Sequence, residues 1–384
     1  MKTVAEFFAG IGLMRIGLER AGWETVWAND IDKDKQEIYQ GQFGNAEDCF
    51  VLGDVHDVDA HSFPDVTLAT ASFPCNDLSL AGARKGLAGT HSSAFWGYIR
   101  VLEGLGGRRP PVVLLENVPG FLTSHNGNDF RDACVALNKL GYALDALMID
   151  ASCFVPQSRQ RLFIIGTRGL PLSGALRETP SFLEGSARPA ALADFILWNP
   201  DIIWNIRDLP RLPKRSAILA DIIEDLPHNS SYWWSEERAS YLLNQMSPRH
   251  REIADTMIAG KTTSYGTVFR RVRNGRSMAE LRTDGIAGCL RTPRGGSGRQ
   301  ILFSGGKGKY RVRLLTPREC ARLMGAGEYN LPPSLNLNQA LFGFGDAVCV
   351  DVIEWIALNY LNPVIDELNS QPKYGTRRIS RHTA

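Results

Sequence analysis

Between residues 2 and 167, short apolar runs closed by turn signals alternate with segments of helical spacing. That alternation constrains the fold more than any single residue does. "KTVAEFF" (2–8), "ETVWAND" (24–30), "PDVTLATASF" (64–73), "PPVVLLEN" (110–117), "ALDALMID" (143–150) and "RLFIIGT" (161–167) predict strands. "GLMRIGLERAGW" (12–23) carries Leu13, Ile16, Leu18 and Ala21 at helical spacing, and further helices are predicted over 33–43, 93–105 and 130–141. Strands and helices that alternate through short connections imply an α/β fold with a doubly wound, mostly parallel sheet. Such sheets bind ligands at the carboxyl ends of their strands. Gly10, Asp30, Cys75 and Glu116 each stand at or just past a strand end, so one rim should hold all four.

After about residue 170 the alternation stops, and Pro, Ser, Trp and Arg become frequent. A second, smaller domain of irregular, β-rich structure is expected there. Helical spacing returns at "PRECARLMG" and in the long amphipathic run 348–361. The chain then divides into 1–180, completed by 338–368, a second domain over 181–337 with a hinge, and a polar, basic tail over 369–384. That tail is expected to be disordered.

Composition narrows the class. Hydrophobic content of 44% and charged content of 22% are those of a soluble globular protein. No run of 18 apolar residues and no signal-peptide pattern is present, so neither a membrane span nor secretion is indicated. The 7 cysteines are scattered without a CxxC pair, and the 7 histidines lack metal-ligand spacing. A disulfide framework and a metal site are therefore not expected, and a reducing cytoplasm is. The net charge of +2 conceals an asymmetry: residues 248–313 hold 15 Lys and Arg against 4 Asp and Glu. Such an excess is the footprint of a polyanion-binding surface, for which nucleic acid is the favoured partner.

Three constellations carry chemistry. "FFAGIGLMRIGLE" puts Gly10 and Gly12 in a strand-to-helix turn, where backbone approaches a ligand closely. A nicotinamide fingerprint would need a third glycine where Arg15 stands. With Asp30 ending the second strand and Asp54 further on in "GDV", the set reads as an adenosyl site. Glu116 ends a strand of buried character, where a carboxylate is costly without a partner or a task. "QSRQRLFIIG" brings Gln157, Arg159 and Arg161 to one face by alternation. Guanidiniums beside a thiol favour the thiolate, and a buried carboxyl can protonate a ring nitrogen. Thiolate, carboxyl and arginine fork together describe a site that adds a nucleophile to a heteroaromatic ring.

These blocks resemble the C5-cytosine-specific DNA methyltransferase family over nearly the whole chain. They run in the family's order: "FFAGIGLMRIGLE", "NDID", "GDV", "SFPCNDLS", "LLENVPGF", "QSRQRLFIIG", "RLLTPRECARLMG" and "GFGDAVCVDV". The resemblance implies a Rossmann-like class I methyltransferase domain with a smaller target-recognition domain. It makes Cys75 the nucleophile, Glu116 the acid, and Arg159 and Arg161 the paired active-site arginines. For S-adenosyl-L-methionine it implies Phe8, Ala9, Gly10, Ile11, Gly12 and Leu13, then Asp30, Ile31, Asp54 and Val55, and finally Pro74, Asp346 and Val348. Duplex DNA would meet Asn76, Ser79, Arg84 and Lys85 in the polar loop 76–93, which would close over the base. Gln157 would join them, as would Arg270, Arg271 and Arg273 with Arg291 and Arg294 in the basic stretch.

The implied reaction adds Cys75 to carbon 6 of a cytosine flipped out of the duplex, with Glu116 at ring N3. Methyl transfer to carbon 5 and β-elimination follow, without a metal. Arg159 or Arg161 would hold the base O2 or a flanking phosphate; the sequence leaves that open. The chain departs from the family pattern at Asn76, in place of Gln, and at Asp346, in place of Asn. Asn76 bears on the loop's contact with DNA. Ile31 stands where an aromatic residue is common. With Asp346, unless that acid pairs with the cofactor's ammonium or a nearby cation, it predicts cofactor affinity that stays modest until DNA closes the site. Self-marking of DNA beside a restriction or phage-defence system is the biological setting that the resemblance implies. A self-contained motif set implies a monomer. The alternatives are a tRNA cytosine-5 methyltransferase, although the Cys-Phe-Thr signature of that branch is missing, and a catalytically silent DNA-binding scaffold.

Overall fold

Alternation of side chains about the strands explains the main sheet. The computed structural model of the chain describes residues 1–74, 93–172, 187–273, 275–292, 299–332 and 335–371. Seven strands form one sheet: β1 (Thr3–Phe7), β2 (Glu24–Asp30), β3 (Phe50–Leu52), β4 (Leu68–Ala71), β5 (Val112–Asn117), β6 (Ala143–Asp150) and β7 (Gln160–Thr167). Their order is β3-β2-β1-β4-β5-β7-β6. Val4, Leu68, Val112 and Leu114 face one core, while Ala5, Phe7, Ala69, Val113 and Leu115 face the other. Both faces are thus covered, as a parallel sheet requires. Each fully buried Leu, Val or Phe contributes about 1.5–3 kcal/mol to that stability.

β1 to β5 pair in parallel, but β7 runs antiparallel between β5 and β6. Only residues 151–159 join β6 to β7. A connection so short cannot make the helical crossover that a parallel neighbour needs, so the chain returns directly. The strand order reverses between β1 and β4, and this switch point opens at the carboxyl ends of β1, β2, β4 and β5.

The second lobe is more regular than its sequence suggested. β8 (Ser264–Arg273), β9 (Arg276–Arg282), β10 (Ile301–Gly306) and β11 (Lys309–Leu314) form an antiparallel sheet in the order β11-β10-β8-β9. The helices Glu236–Asn244 and Pro248–Ala259 cover one face, burying Leu242, Val268, Leu281, Ile301, Phe303 and Val312. Arginines at the exposed positions of β8 and β9 had masked the strand pattern. Parts of the region 181–337 also pack against the large sheet. Leu192, Ile196 and Trp204 sit in the core of the large sheet, and Arg188 pairs there with Asp145 of β6 at 2.7 Å. The helix Pro317–Leu323 likewise joins the large-sheet core. The last helix ends at Ser370, and 372–384 lie outside the described residues.

Candidate active site

The turn after β1 is built on left-handed backbone: Phe8 has φ 58°, Gly10 φ 56° and Gly12 φ 80°. Glycine adopts this region freely, whereas Phe8 is held there against its steric preference. The Gly10 N–H donates to Asp30 Oδ2 at 2.8 Å, and Asp30 Oδ1 accepts from the Asp32 N–H at 3.0 Å. β1 and β2 are thereby locked so that the turn and the acid share one rim. No atom lies within 4 Å of where a Cβ on Gly10 would stand, and Ile31 beside it is 68% exposed. Ala9, Ile11 and Leu13 point into the cores. Asp54 caps a short helical turn, accepting from the His56 N–H at 2.9 Å, and that bond with the His56 ring holds its carboxyl below the ordinary value. Val55 is buried beneath it. An open turn, a fixed acid, an exposed apolar residue and a second acid make a cradle that fits an adenosyl group.

β4 and β5 bring the next residues alongside. Phe73 packs against Phe95 and Phe121, and its carbonyl accepts from Asn117 Nδ2 at 3.2 Å. Asn117 had no role in the sequence reading; it fixes the chain just before Pro74. Cys75, Asn76, Ser79, Arg84, Lys85 and Arg294 lie outside the described residues.

Glu116 is 7% exposed and points to the same sheet face as Val112 and Leu114. Its register partner is Phe163, and Arg161 lies two residues further along β7 on that face. Such diagonal neighbours are within reach of a long side chain. Arg161 Nε stands 2.9 Å from Glu116 Oε1. Burial pushes the Glu116 carboxyl above its ordinary value; Arg161, Arg159 and a bond from the Ser72 hydroxyl pull it only part of the way back. A carboxyl that keeps its proton more readily than usual is suited to protonating or hydrogen-bonding a ring nitrogen.

Arg159 has a different task. It is 2% exposed, and its guanidinium donates to the carbonyls of Leu290 at 2.8 Å and Gly345 at 3.0 Å, and also to that of Ala347. Gly345 is required there, because a Cβ would stand 2.7 Å from the backbone of Arg291. Gln157 is wholly buried rather than placed at a DNA surface. Its Nε2 donates to the Leu323 carbonyl at 2.8 Å, and its Oε1 accepts from the Leu290 N–H at 2.9 Å. Gln157 and Arg159 therefore fasten segment 287–291 of the second lobe to the large-sheet lobe, while Arg161 alone meets Glu116. Strict alternation grouped the three; β7 begins only at Gln160, so the face shared by 157 and 159 is set by the second lobe.

Two further residues carry no signal in the sequence. The thiol that the paired arginines touch among the described residues is Cys289, with Sγ 3.3 Å from Arg159 Nη1. Burial raises its proton affinity, but the charges of Arg159, Arg161 and Arg291 outweigh burial and hold it below the ordinary value. No spacing signal marks this residue. Lys35 is the second. Its Nζ lies 3.1 Å from Asp346 Oδ2, and Thr292 donates its hydroxyl to Asp346 Oδ1. The unusual acid at 346 thus has a cation of its own. Val348 is buried behind it.

In the basic stretch, Arg271 and Arg273 of β8 share Glu280, at 3.6 and 2.8 Å. Arg270 forms no ion pair among the described residues, and exposed Arg291 lies over the Phe269 ring at 5.7 Å. Among the described residues no cluster of His, Cys, Asp or Glu could hold a metal ion, and no helix is long and apolar enough to cross a membrane.

Comparison with known proteins agrees with this arrangement. Residues 2–362 match the model of the C-5 cytosine-specific DNA methylase family. The chain is 29% identical over 359 residues to the type II methyltransferase M.HhaI of Haemophilus parahaemolyticus, covering 92% of each chain. It is 27% identical to the type II methyltransferase M.Bsp6I of Bacillus sp. (strain RFL6), covering 94% of this chain and 98% of that one. Among solved structures, S. pombe Dnmt2 methyltransferase shares the fold at a TM-score of 0.63 and 20% identity, over 96% of this chain and 100% of that one. The chain with its switch-point cradle and its Glu116–Arg161 pair belongs to the C-5 cytosine-specific DNA methylase family, and it is a DNA cytosine-5 methyltransferase.

Proposed function

We propose that this protein methylates carbon 5 of a cytosine flipped out of duplex DNA, through a covalent adduct of Cys75 at carbon 6, with S-adenosyl-L-methionine as the methyl donor. The observation that carries the reading is Glu116: a buried carboxyl of raised proton affinity, held by Arg161 at the same sheet rim as the Gly10 turn. Carbon 5 of cytosine is too weak a nucleophile to attack a methyl donor unaided. Addition of a thiolate at carbon 6 makes carbon 5 enamine-like, and a proton or hydrogen bond from Glu116 at N3 accepts the electron density. Arg161 orients that carboxyl and keeps it from drifting. S-adenosyl-L-methionine, when bound, supplies the electrophilic methyl group. Gly10 to Leu13, Asp30, Ile31 and Asp54 would hold its adenosyl part, and Lys35 would neutralise Asp346 beside it. The small lobe would read the target sequence, since a base must leave the stack before any of these groups can reach it. The setting we infer is self-marking of DNA, as the type II names of its relatives suggest, by an enzyme that acts as a monomer in the cytoplasm.

The test is transfer of labelled methyl from S-adenosyl-L-methionine to duplex DNA of mixed sequence, mapped by bisulfite sequencing, with Cys75→Ser in parallel. Methylcytosine in one short motif, lost in the variant, is expected. Label in tRNA and none in DNA would refute the substrate, and undiminished transfer by the variant would refute the nucleophile.

A further inference from the structure

Tertiary structure sorts the charges of the basic stretch into two kinds. Arg251 pairs with Asp255 at 3.0 Å, Arg273 with Glu280 at 2.8 Å, and Arg282 with Asp284 at 2.7 Å. Three of the four acids in 248–313 are used in this way. Arg270 and Arg299 form no ion pair with any described residue. Ile301 of β10 lies opposite Val268 of β8, so the same register carried two residues outward sets Arg299 across from Arg270. Both stand at the end of the face that Val268 and Ile301 bury.

A third guanidinium comes from the helix that covers this face. Arg238 is exposed on Glu236–Asn244, stacked over the Trp234 ring at 3.8 Å. Ala239 and Leu242 of that helix pack in one core with Val268 and Ile301, which brings Arg238 near Arg270 and Arg299. Partial burial and the charges of those two weaken its hold on its proton. Glu236 and Glu237 lie in the same helix but form no ion pair with Arg238 among the described residues. Arg299 is steered from the other lobe, donating through Nη2 to Asn338 Oδ1 at 2.8 Å. Its Nε is shielded from water and lacks an acceptor among the described residues. Three like charges gathered from three elements, two of them held in place by an indole and an amide, repel one another unless an anion joins them.

We propose that Arg238, Arg270 and Arg299 form a clamp for the phosphate backbone of duplex DNA. The inference rests on the reading of this protein as a DNA methyltransferase and adds to it which residues supply the sequence-independent grip. Guanidinium forks match phosphate oxygens in pairs, and stacking on Trp234 pre-orients one fork. Contacts of this kind position the duplex without selecting bases. The clamp therefore sets affinity and its salt dependence, not the methylated motif. Neither Arg238 nor Arg299 is distinguishable by sequence from the ion-paired arginines around them.

The test compares wild type, Arg238→Gln, the triple variant Arg238→Gln/Arg270→Gln/Arg299→Gln, and the ion-paired control Arg251→Gln. Binding to a fluorescently labelled DNA duplex is measured by anisotropy across a salt series, and the methylated motif is mapped for each. The slope of log affinity against log salt is expected to fall by about 0.9 for Arg238→Gln and by about 2–3 for the triple variant. Affinity of the triple variant should fall about 100-fold or more at low salt, with the motif unchanged and Arg251→Gln like wild type. The single variant, on an exposed helix position, keeps the test valid if the triple variant folds poorly. An unchanged slope in a variant that still methylates DNA overturns the clamp alone. A changed motif at unchanged slope makes these residues base readers and overturns it as well. A wild type that binds no duplex DNA overturns both the clamp and the reading beneath it.

Discussion

Glu319 and Glu116 are both buried carboxylates paired with an arginine, yet their surroundings differ. Glu319, where the two lobes meet, accepts from Arg313 Nη1 at 2.6 Å and Nη2 at 2.5 Å, from the Thr316 N–H at 2.9 Å and from the Glu224 N–H at 2.8 Å. Four donors leave it no capacity for a further partner. It also closes the capping box of the helix Pro317–Leu323, so it anchors that helix and the small sheet together. Glu116 meets the Arg161 Nε and the Ser72 hydroxyl, and burial still wins, leaving its proton affinity raised. A saturated carboxylate is structural, and an under-compensated one at a rim is available for chemistry. The same contrast separates Arg159, spent on the backbone carbonyls of Leu290 and Gly345, from Arg161, which faces Glu116.

The largest effect expected from this contrast is on turnover. Glu116→Gln removes the transferable proton but keeps size and polarity, so single-turnover methyl transfer should fall by about 10²–10⁴-fold. Its melting temperature should stay near that of wild type. A variant that unfolds while keeping its rate would reverse the assignment of the two carboxylates.

Next in size is stability. Arg313→Met strands the Glu319 charge in the core and should cost about 3–5 kcal/mol in urea denaturation. A loss below about 1 kcal/mol would mean that Glu319 is less dependent on its arginine than its four donors suggest.

Glu6 on β1 sharpens the comparison from a third side. Both its carboxyl oxygens are buried without a hydrogen-bond partner among the described residues, and burial pushes it up to about 8, against the opposing charge of Arg15. A carboxyl raised in the folded state binds its proton more tightly there than when unfolded. Its stabilising contribution is therefore present below the unfolded value and lost as pH rises from about 4.5 towards 8. Glu6→Gln should match wild type at pH 5 and exceed it at pH 9, by on the order of 3–4 kcal/mol. Equal pH profiles for the two proteins would show that Glu6 is compensated in solution.

The smallest effect concerns the Lys35–Asp346 pair. Both groups are partly exposed, so the pair itself adds about 1 kcal/mol or less. Lys35→Met leaves Asp346 uncompensated beside the cradle and should weaken S-adenosyl-L-methionine binding about fivefold by calorimetry. Unaltered binding would place the pair outside the cofactor's reach.

Most of the large sheet was legible because its signals are local. Strand limits for β2 and β6 matched the apolar runs residue for residue, and the Gly10 turn, Asp30 and Glu116 do share a rim. The position of β7 was not legible, because its direction depends on the length of the link from β6 rather than on its own pattern. Gln157 reads as a polar residue entering a strand, and only the packing of segment 287–291 against it makes it a buried staple. Cys289 and Lys35 carry no motif, and their importance arises from partners more than a hundred residues away.

By itself the sequence determined the alternating scaffold, the glycine turn, the order of the chemical motifs and the excess of positive charge, since each follows from neighbouring residues and their periodicity. Tertiary structure alone decided which arginine faces the Glu116 carboxyl and which is consumed as a fastener. It also decided that burial raises the proton affinity of Glu116, and which of the clustered arginines form no ion pair among the described residues. Those properties are set by burial and by charges from distant parts of the chain, and neither exists until the two lobes have packed together.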